Sequence, residues 1–131
     1  MNIKTIVSIF SVLAVAAGCS TDPKQSLEDL NMPIIQTKYT ADPAPIVIGD
    51  TLYLYTSHDE DDGENFHMKD WLLYTTTDMV NWQDRGAVAG LRNFKWYRNT
   101  NGAWAQQVVE RNGKFYMYCP IHGNGISVLM A

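Results

Sequence analysis

The chain has 131 residues, of which 46% are hydrophobic and 18% are charged, and its formal net charge is −4. This acidic balance argues against a nucleic-acid partner, because phosphate binding needs a basic face. The length suffices for one small domain.

The first segment, residues 1–18, has the pattern of a signal peptide. Lys4 precedes an apolar run at residues 6–17, which is far shorter than the roughly 20 residues of a membrane-spanning helix. Small residues then lead to Cys19, as in bacterial lipoproteins, whose mature chains start at a lipid-modified cysteine. The alternative is an ordinary secretory peptide with an incidental cysteine. Both interpretations predict export, and lipidation predicts an outer-membrane lipoprotein, periplasmic or on the cell surface, that touches the membrane only through its lipid.

The mature chain divides into a tether and one domain. Residues 19–32 are polar and without clear periodicity, so we expect a tether. Residues 33–131 carry short apolar runs bounded by Gly, Asn and Asp, with no helical period, which predicts an all-β domain. With Cys19 assigned to lipid, Cys119 remains. It lies in an apolar run, which predicts a buried free thiol and neither a disulfide nor a metal site.

A hairpin pattern occurs twice in this domain. Residues 42–57 read DPAPIVIGDTLYLYTS and residues 105–120 read AQQVVERNGKFYMYCP, and a shift of 63 positions superimposes their aromatic strands. The second copy turns at Asn112-Gly113, a pair that favours a type I′ turn. Because one blade cannot bury its own faces, such repetition indicates a β-propeller. The sequence has room for about the first two blades, with a further strand at residues 126–131.

The predicted strands are separated by two longer segments that we expect to be loops, at residues 57–70 and 87–103. The strands themselves are expected at residues 46–48, 52–55, 71–74, 108–109 and 115–118.

Asp42 is a candidate catalytic carboxylate. It lies between Ala41 and Pro43, at the entry of the first predicted strand, and the proline favours an extended conformation there. That position aims a carboxylate from a strand into a cleft, as a general base requires. The same residues suit an aspartate that closes a turn before the strand, since Asp-Pro is an ordinary turn pair. The residues alone leave both interpretations open.

The acidic segment at residues 58–64 follows the strand of the first hairpin. It offers the oxygen ligands that calcium prefers but lacks the EF-hand spacing, so we expect a solvated tip. His58 and Asp59 are different, because they directly follow the strand and would reach a sugar at the inner end of a propeller. We therefore treat both as candidate substrate contacts.

Aromatic side chains lie near the polar strand ends, where they either stack on sugar rings or fill the core between blades. Trp71 and Trp96 suit both roles. Trp104 and Gln107 begin the second repeat, in the place that Asp42 holds in the first. They are accordingly candidate substrate contacts, together with Trp71.

Four segments together resemble the N-terminal part of glycoside hydrolase family 43: the Ala-Asp-Pro motif, TLYLYTSHDE, DWLLYTTTDMVNW and AWAQQVVERNGKFYMYC. Members of that family are five-bladed β-propellers that remove arabinose or xylose from plant polysaccharides by inversion. The resemblance implies that Asp42 is the general base. The family's acid glutamate and its pKa-tuning aspartate, in an Ile-Asp-Pro-like motif, have no counterpart in this sequence. We therefore expect a fragment that is inactive alone.

The resemblance also implies a plant cell-wall oligosaccharide or polysaccharide as the partner, such as arabinoxylan or arabinan. It implies no cofactor and allows a calcium ion in a complete propeller. A different class of function is the alternative, namely a non-catalytic glycan-binding surface lipoprotein in which Trp71, Trp96 and Trp104 form a stacking platform.

Overall fold

The computed structural model describes residues 32–131, which form two antiparallel sheets and no α-helix. The first sheet contains β1 (Tyr39–Ile48), β2 (Thr51–Asp59), β3 (Asp70–Thr76) and β4 (Gln83–Gly90), in that order. The second contains β5 (Gln107–Arg111), β6 (Lys114–Pro120) and β7 (Ile126–Met130). A short 3-10 turn, Leu91–Asn93, follows β4. The all-β prediction is confirmed.

The predictions for the N-terminus, namely the signal peptide at residues 1–18, lipidation of Cys19 and most of the tether, lie outside the described residues. Within residues 32–131, no helix is long and apolar enough to span a membrane.

The two predicted hairpins are present, and they match in register. Ile46 pairs with Tyr53 in the first, and the positions 63 residues further on, Val109 and Tyr116, pair in the second. Asn112 and Gly113 have φ angles of +54° and +72°, the two positive values of a type I′ turn. The repeat therefore reflects the same backbone unit built twice.

The two sheets sit side by side as neighbouring propeller blades do. Consecutive strands are hydrogen-bonded neighbours in each sheet, and the first strands, β1 and β5, lie against each other. One buried cluster fills the space between the sheets, and its larger members are Met68, Trp71, Leu91, Phe94, Val108, Met117 and Ile121. A second buried cluster of Leu54, Leu72 and Tyr74 covers the other face of β2 and β3, which explains why these two strands are apolar on consecutive residues. Val47, Val109 and Tyr118 are exposed, so β1, β5 and β6 are not covered on both faces.

Two element predictions were wrong in part. β4 was not predicted, and its last four residues fall in the segment expected to be a loop from residue 87. Most β4 residues are exposed, and the strand carries no apolar side chain before Ala87. β1 begins at Tyr39, which places Asp42 inside the strand and not at its entry.

The inter-sheet loop (residues 91–106) is fastened to both sheets. The amides of Gly102 and Ala103 donate to the Met68 carbonyl, at 2.9 and 3.0 Å, just before β3. The amide of His122, after β6, donates to the Gly102 carbonyl at 3.0 Å. The Met68 amide in turn donates to Oδ1 of Asn101 at 2.9 Å. The loop therefore fixes the ends of the two sheets relative to each other.

Candidate active site

The predicted site residues are brought to one end of the two sheets, here called the site end. Antiparallel pairing places Ala41, Ser57, Trp71 and Ala89 in one row across β1 to β4. The indole N–H of Trp71 donates to the Trp104 carbonyl at 2.8 Å, which adds the start of β5 to the same end. Residues far apart in the sequence therefore share one surface.

Asp42 lies at this end in a β-bulge of β1, where the register shifts between Ala41 and Ala44. Its φ is +53°, so the extended conformation expected from Pro43 is wrong. Left-handed backbone costs an L-residue about 1–2 kcal/mol, and such strain and bulges are common where a strand re-aims a functional side chain. The side chain is exposed, as a group that must meet substrate requires.

Ser57 holds the Asp42 carboxylate in place. Its hydroxyl donates to Oδ2 of Asp42 at 2.6 Å, and Ser57 itself is fully buried, so the donor has a fixed position. No other hydrogen bond to Asp42 from a described side chain is present, which leaves Oδ1 free to accept a proton from water. The bulge and the serine together present one oxygen of Asp42 to the solvent at the site end.

His58 and Asp59 follow Ser57 but do different things. Nδ1 of His58 lies 2.9 Å from Oδ1 of Asp70 and 3.7 Å from Oε1 of Glu60. Asp59 accepts the amide of His67 at 2.7 Å and so closes the loop between β2 and β3. His58 thus lines an open cleft, whereas Asp59 has a structural contact that sequence reasoning did not predict.

The three candidate tryptophans, Trp71, Trp96 and Trp104, differ in their exposure to solvent. Trp71 is 0% exposed and meets Phe94 edge to face at a centroid distance of 6.4 Å. A ring without an exposed face cannot stack on a sugar, so the substrate contact predicted for Trp71 is corrected to a core role. Trp104 is 42% exposed and stacks on His122, with ring centroids 4.7 Å apart. Trp96 is exposed on the inter-sheet loop.

Gln107 is exposed, and its side-chain amide donates to the Val108 carbonyl at 3.2 Å. Its neighbour Gln106 is 4% exposed, and neither amide atom of its side chain has a hydrogen-bond partner within the part of the chain described here. Burying an unpaired amide costs about 1–3 kcal/mol, so Gln106 is the more unusual of the two. Sequence reasoning missed both Gln106 and Ser57. Only their place beside candidate residues at strand ends pointed to them.

Comparison with known proteins gives a consistent assignment. The profile of the glycosyl hydrolases family 43 matches residues 30–131. A xylosidase/arabinosidase of Bacteroides ovatus is 35% identical over 97 residues, covering 67% of this chain and 29% of that protein. An arabinoxylan arabinofuranohydrolase of Paenibacillus polymyxa is 31% identical and covers 100% of this chain and 23% of that protein. The chain thus spans less than a third of the length of these curated relatives.

The solved structures that resemble this chain are also family 43 enzymes. A family 43 enzyme from Xanthomonas citri in complex with xylose superimposes with a TM-score of 0.66 at 33% identity, covering 76% of this chain and 31% of that one. A β-xylosidase/α-arabinofuranosidase from a compost metagenome, in complex with xylotriose and in a calcium-free form, gives 0.66 at 26% identity. Its coverage is 76% of this chain and 33% of that one.

The description of that neighbour as calcium-free raises the question of a calcium site. His58, Glu60 and Asp70 place one ligand atom each within 4.8 Å of one another. Calcium takes six to eight oxygen ligands, whereas this group offers one nitrogen and two carboxylates. Lys69 already binds Oε2 of Glu60 at 2.9 Å. The group therefore does not fit calcium.

Proposed function

Because the chain belongs to family 43 of the glycosyl hydrolases, we propose that it carries the general-base side of an inverting glycosidase site. Its substrates are arabinofuranosyl or xylosyl residues of arabinoxylan or arabinan. The observation that carries the proposal is Asp42 itself, an exposed carboxylate in a strained bulge whose Oδ2 is held by buried Ser57. The names of the relatives, and the xylose bound by the Xanthomonas enzyme, support the substrate class.

In this proposal, Oδ1 of Asp42 removes a proton from a water molecule, whose oxygen attacks the anomeric carbon. The glycosidic C–O bond breaks on the opposite face, and a general acid protonates the leaving oxygen. The sugar is released with inverted configuration. Acid and base of inverting enzymes lie about 6.5–9.5 Å apart, with room for that water. Ser57 keeps the carboxylate aimed at the water throughout.

The acid is the second half of the proposal. Three other carboxylates near the site end already have partners: Asp59 accepts the amide of His67, Glu60 binds Lys69, and Asp70 contacts His58. We assign the acid to a residue outside residues 33–131, and these residues alone are then inactive. General acid catalysis is typically worth 10²–10⁴-fold in rate, and its loss leaves little turnover.

The test uses the complete reading frame of the gene and, separately, residues 33–131, on aryl arabinofuranoside and aryl xyloside substrates. The complete frame should hydrolyse one of them, and proton NMR of the first product should show inverted configuration. Asp42→Asn should lower kcat at least about 10²-fold, the lower bound for a lost general base. Asp50→Asn, at the opposite end of the same hairpin, is the matched control and should be unaffected. An Asp42→Asn variant of full activity, or a retained configuration, would overturn the proposal.

We propose further that the protein is exported and anchored by lipid on Cys19, because small residues precede this cysteine at the end of an apolar run. The mass of the mature protein should include diacylglyceryl and acyl groups on its first residue. Cys19→Ala should abolish that mass, and Cys119→Ser should keep it. A mature protein without lipid would contradict the anchor and leave export by an ordinary signal peptide.

A further inference from the structure

Three side chains converge where the loop between β2 and β3 leaves and rejoins the first sheet. His58 is the penultimate residue of β2, Glu60 follows the end of that strand, and Asp70 begins β3. Ser57 pairs with Trp71, so the next positions in the register bring His58 and Asp70 opposite each other. The side chains of His58, Glu60 and Asp70 are 14%, 18% and 17% exposed. Strand pairing therefore holds this group, here called the loop-neck triad, in one partly buried place.

The polar atoms of the loop-neck triad have the spacing of metal ligands. Nδ1 of His58 lies 2.9 Å from Oδ1 of Asp70 and 3.7 Å from Oε1 of Glu60, and the three ligand atoms are within 4.8 Å of one another. Zinc binds nitrogen and carboxylate oxygen at about 2.0–2.2 Å in a tetrahedron, which places its ligand atoms about 3.3–3.6 Å apart. The two distances from His58 lie on either side of that range, so small side-chain rotations would place the three atoms at three corners.

The surroundings of the triad hold its side chains in position. Lys69 binds Oε2 of Glu60 at 2.9 Å, which leaves Oε1 toward His58. The backbone of His67 joins the two ends of the loop, because its amide donates to Asp59 at 2.7 Å and its carbonyl accepts the Glu60 amide at 3.0 Å. Partners of this kind orient the ligands of metal sites.

The composition of the triad determines which metal it suits. Imidazole nitrogen is a ligand of zinc and its transition-metal neighbours, whereas calcium and magnesium prefer oxygen ligands alone. Lys69 and Arg92 line the same cleft of about 590 Å³ and balance the charges of Glu60 and Asp70. A cation attracted by charge alone would gain little there, so the nitrogen of His58 decides the preference. The cleft leaves room for the water molecule that completes a four-coordinate site.

We infer that the loop-neck triad binds a divalent transition metal of the zinc type through Nδ1 of His58, Oε1 of Glu60 and Oδ1 of Asp70. The metal joins the end of β2 to the start of β3 and closes the neck of the loop between them. His58 alternates with Ser57 along β2, so this site lies on the opposite face of the sheet from the serine that holds Asp42. The inference is therefore independent of the proposed hydrolysis, and it makes His58 a metal ligand and not a substrate contact.

The test is a calorimetric titration with Zn²⁺ of the protein made from the complete reading frame, after its metals have been removed with EDTA. Glu60→Gln and Asp70→Asn keep the size of each side chain and should each raise the Kd for zinc at least about tenfold, since losing even a partner of a ligand costs about 10–100-fold. His67→Gln is the matched control, because this half-buried histidine lies in the same loop but outside the triad. It should bind zinc as the unaltered protein does.

Two further measurements report on the site directly. Co²⁺ in place of zinc should give the intense visible absorption of a four-coordinate site, and His58→Gln should abolish it. Zinc should also slow the hydrogen exchange of backbone amides in residues 60–69 of the unaltered protein and of His67→Gln, but not of Glu60→Gln, because the metal closes the neck of that loop.

Three results would overturn the inference: equal zinc affinity in Glu60→Gln and His67→Gln, the weak absorption of six-coordinate cobalt in the unaltered protein, or displacement of zinc from the triad by an equal concentration of calcium. Any of these would leave His58 and Asp70 as a hydrogen-bonded pair without a metal. The cobalt spectrum of the unaltered protein needs no substitution, so it decides the matter even where a variant fails to fold.

Discussion

Asp42 combines an unfavourable backbone φ angle with a short hydrogen bond from a fully buried serine. Its φ of +53° costs free energy, and buried Ser57 at 2.6 Å is the partner that holds the side chain of this strained residue. A charge-assisted hydrogen bond of this kind contributes about 1.5–3 kcal/mol. The pair therefore acts as one unit, in which the serine sets where the aspartate points.

Replacing Ser57 with alanine should lower kcat about 10- to 100-fold in the active protein, because the carboxylate loses the hydrogen bond that orients it while the substrate contacts remain. KM should change little. Steady-state kinetics on the aryl glycoside would measure both. Ser127→Ala, a half-buried serine on β7, is the control and should leave kcat unchanged. A normal kcat in Ser57→Ala would show that the bulge alone orients Asp42.

Burial makes Cys119 inert. The apolar core raises the pKa of its thiol to about 12, from an ordinary 9.0, so the nucleophilic thiolate is almost absent at neutral pH. Iodoacetamide should therefore modify Cys119 at pH 8 only after denaturant is added, as mass spectrometry would show. Between about pH 9 and 12 the unfolded chain releases this proton and the folded chain keeps it, so stability should fall as pH rises through that window. Rapid modification without denaturant would contradict the burial.

At this scale the sequence identifies residue types but not their conformations. Asp42 could be predicted as a candidate catalytic residue, because an aspartate next to a proline and close to an apolar run can be recognised in the sequence itself. Ser57 could not, since its place beside His58 does not reveal the contact with Asp42 until β1 is folded beside β2. Trp71 and Trp104 look alike in sequence. Only the packing of two sheets buries the first and exposes the second.

Among the strands and loops, strand pairing and the buried Trp71 between the two sheets contribute most to holding the elements together. Trp71 is the second residue of β3, fills the core shared by both sheets and hydrogen-bonds the loop that leads to β5. One side chain thus connects the first sheet to the inter-sheet loop, both through packing and through a polar contact. The position of Trp104 at the site end depends on it.

Trp71→Ala should destabilise the protein by about 3–5 kcal/mol, the usual cost of removing a large buried aromatic side chain. Trp71→Phe should cost less but more than about 1 kcal/mol, because the Trp104 carbonyl loses its donor. Urea unfolding followed by circular dichroism measures both. Trp96→Ala removes the same side chain from an exposed position and should cost less than about 1 kcal/mol. Equal effects of Trp71→Ala and Trp96→Ala would refute the core role.

Elements with their own short-range signal were predicted, and the others were missed. Asn112-Gly113 identified the second hairpin because two adjacent residues tolerate positive φ. β4 was missed because its polar residues form a strand only by pairing with β3, which is a contact that no local pattern encodes. The bulge in β1 has the same cause, since a register shift is a property of two strands.

For the whole molecule, the feature of most consequence is the edge formed by β7. Within residues 32–131 this strand pairs only with β6, and Ile126, Val128 and Met130 are exposed along it. An edge strand with exposed apolar side chains offers unpaired backbone groups and apolar surface to another strand. The propeller arrangement expected from the repeat is therefore confirmed for two blades and leaves one side uncovered in residues 32–131.

Residues 33–131 should consequently self-associate through β7. Sedimentation velocity should show species larger than a monomer at micromolar concentration, and Val128→Lys should shift them to monomer because a charge on an edge opposes pairing. Val80→Lys, at the exposed turn between β3 and β4, is the control and should leave association unchanged. A monomer at all concentrations, before any substitution, would contradict this expectation.

The hydrogen bonds of the inter-sheet loop affect where a gene for this fold can be cut by recombination without separating bonded residues. The loop bonds to Met68 ahead of β3 and to His122 behind β6, so a recombination breakpoint within residues 91–106 would part the loop from one of its two partners. A breakpoint at the exposed turn near Asp50 leaves all of those bonds within one segment, whereas one near Asn112 separates Gly102 from His122. The heritable unit of this fold is accordingly not a sheet of strands alone. It is the inter-sheet loop together with Met68 before it and His122 after it, which duplication or permutation must copy whole.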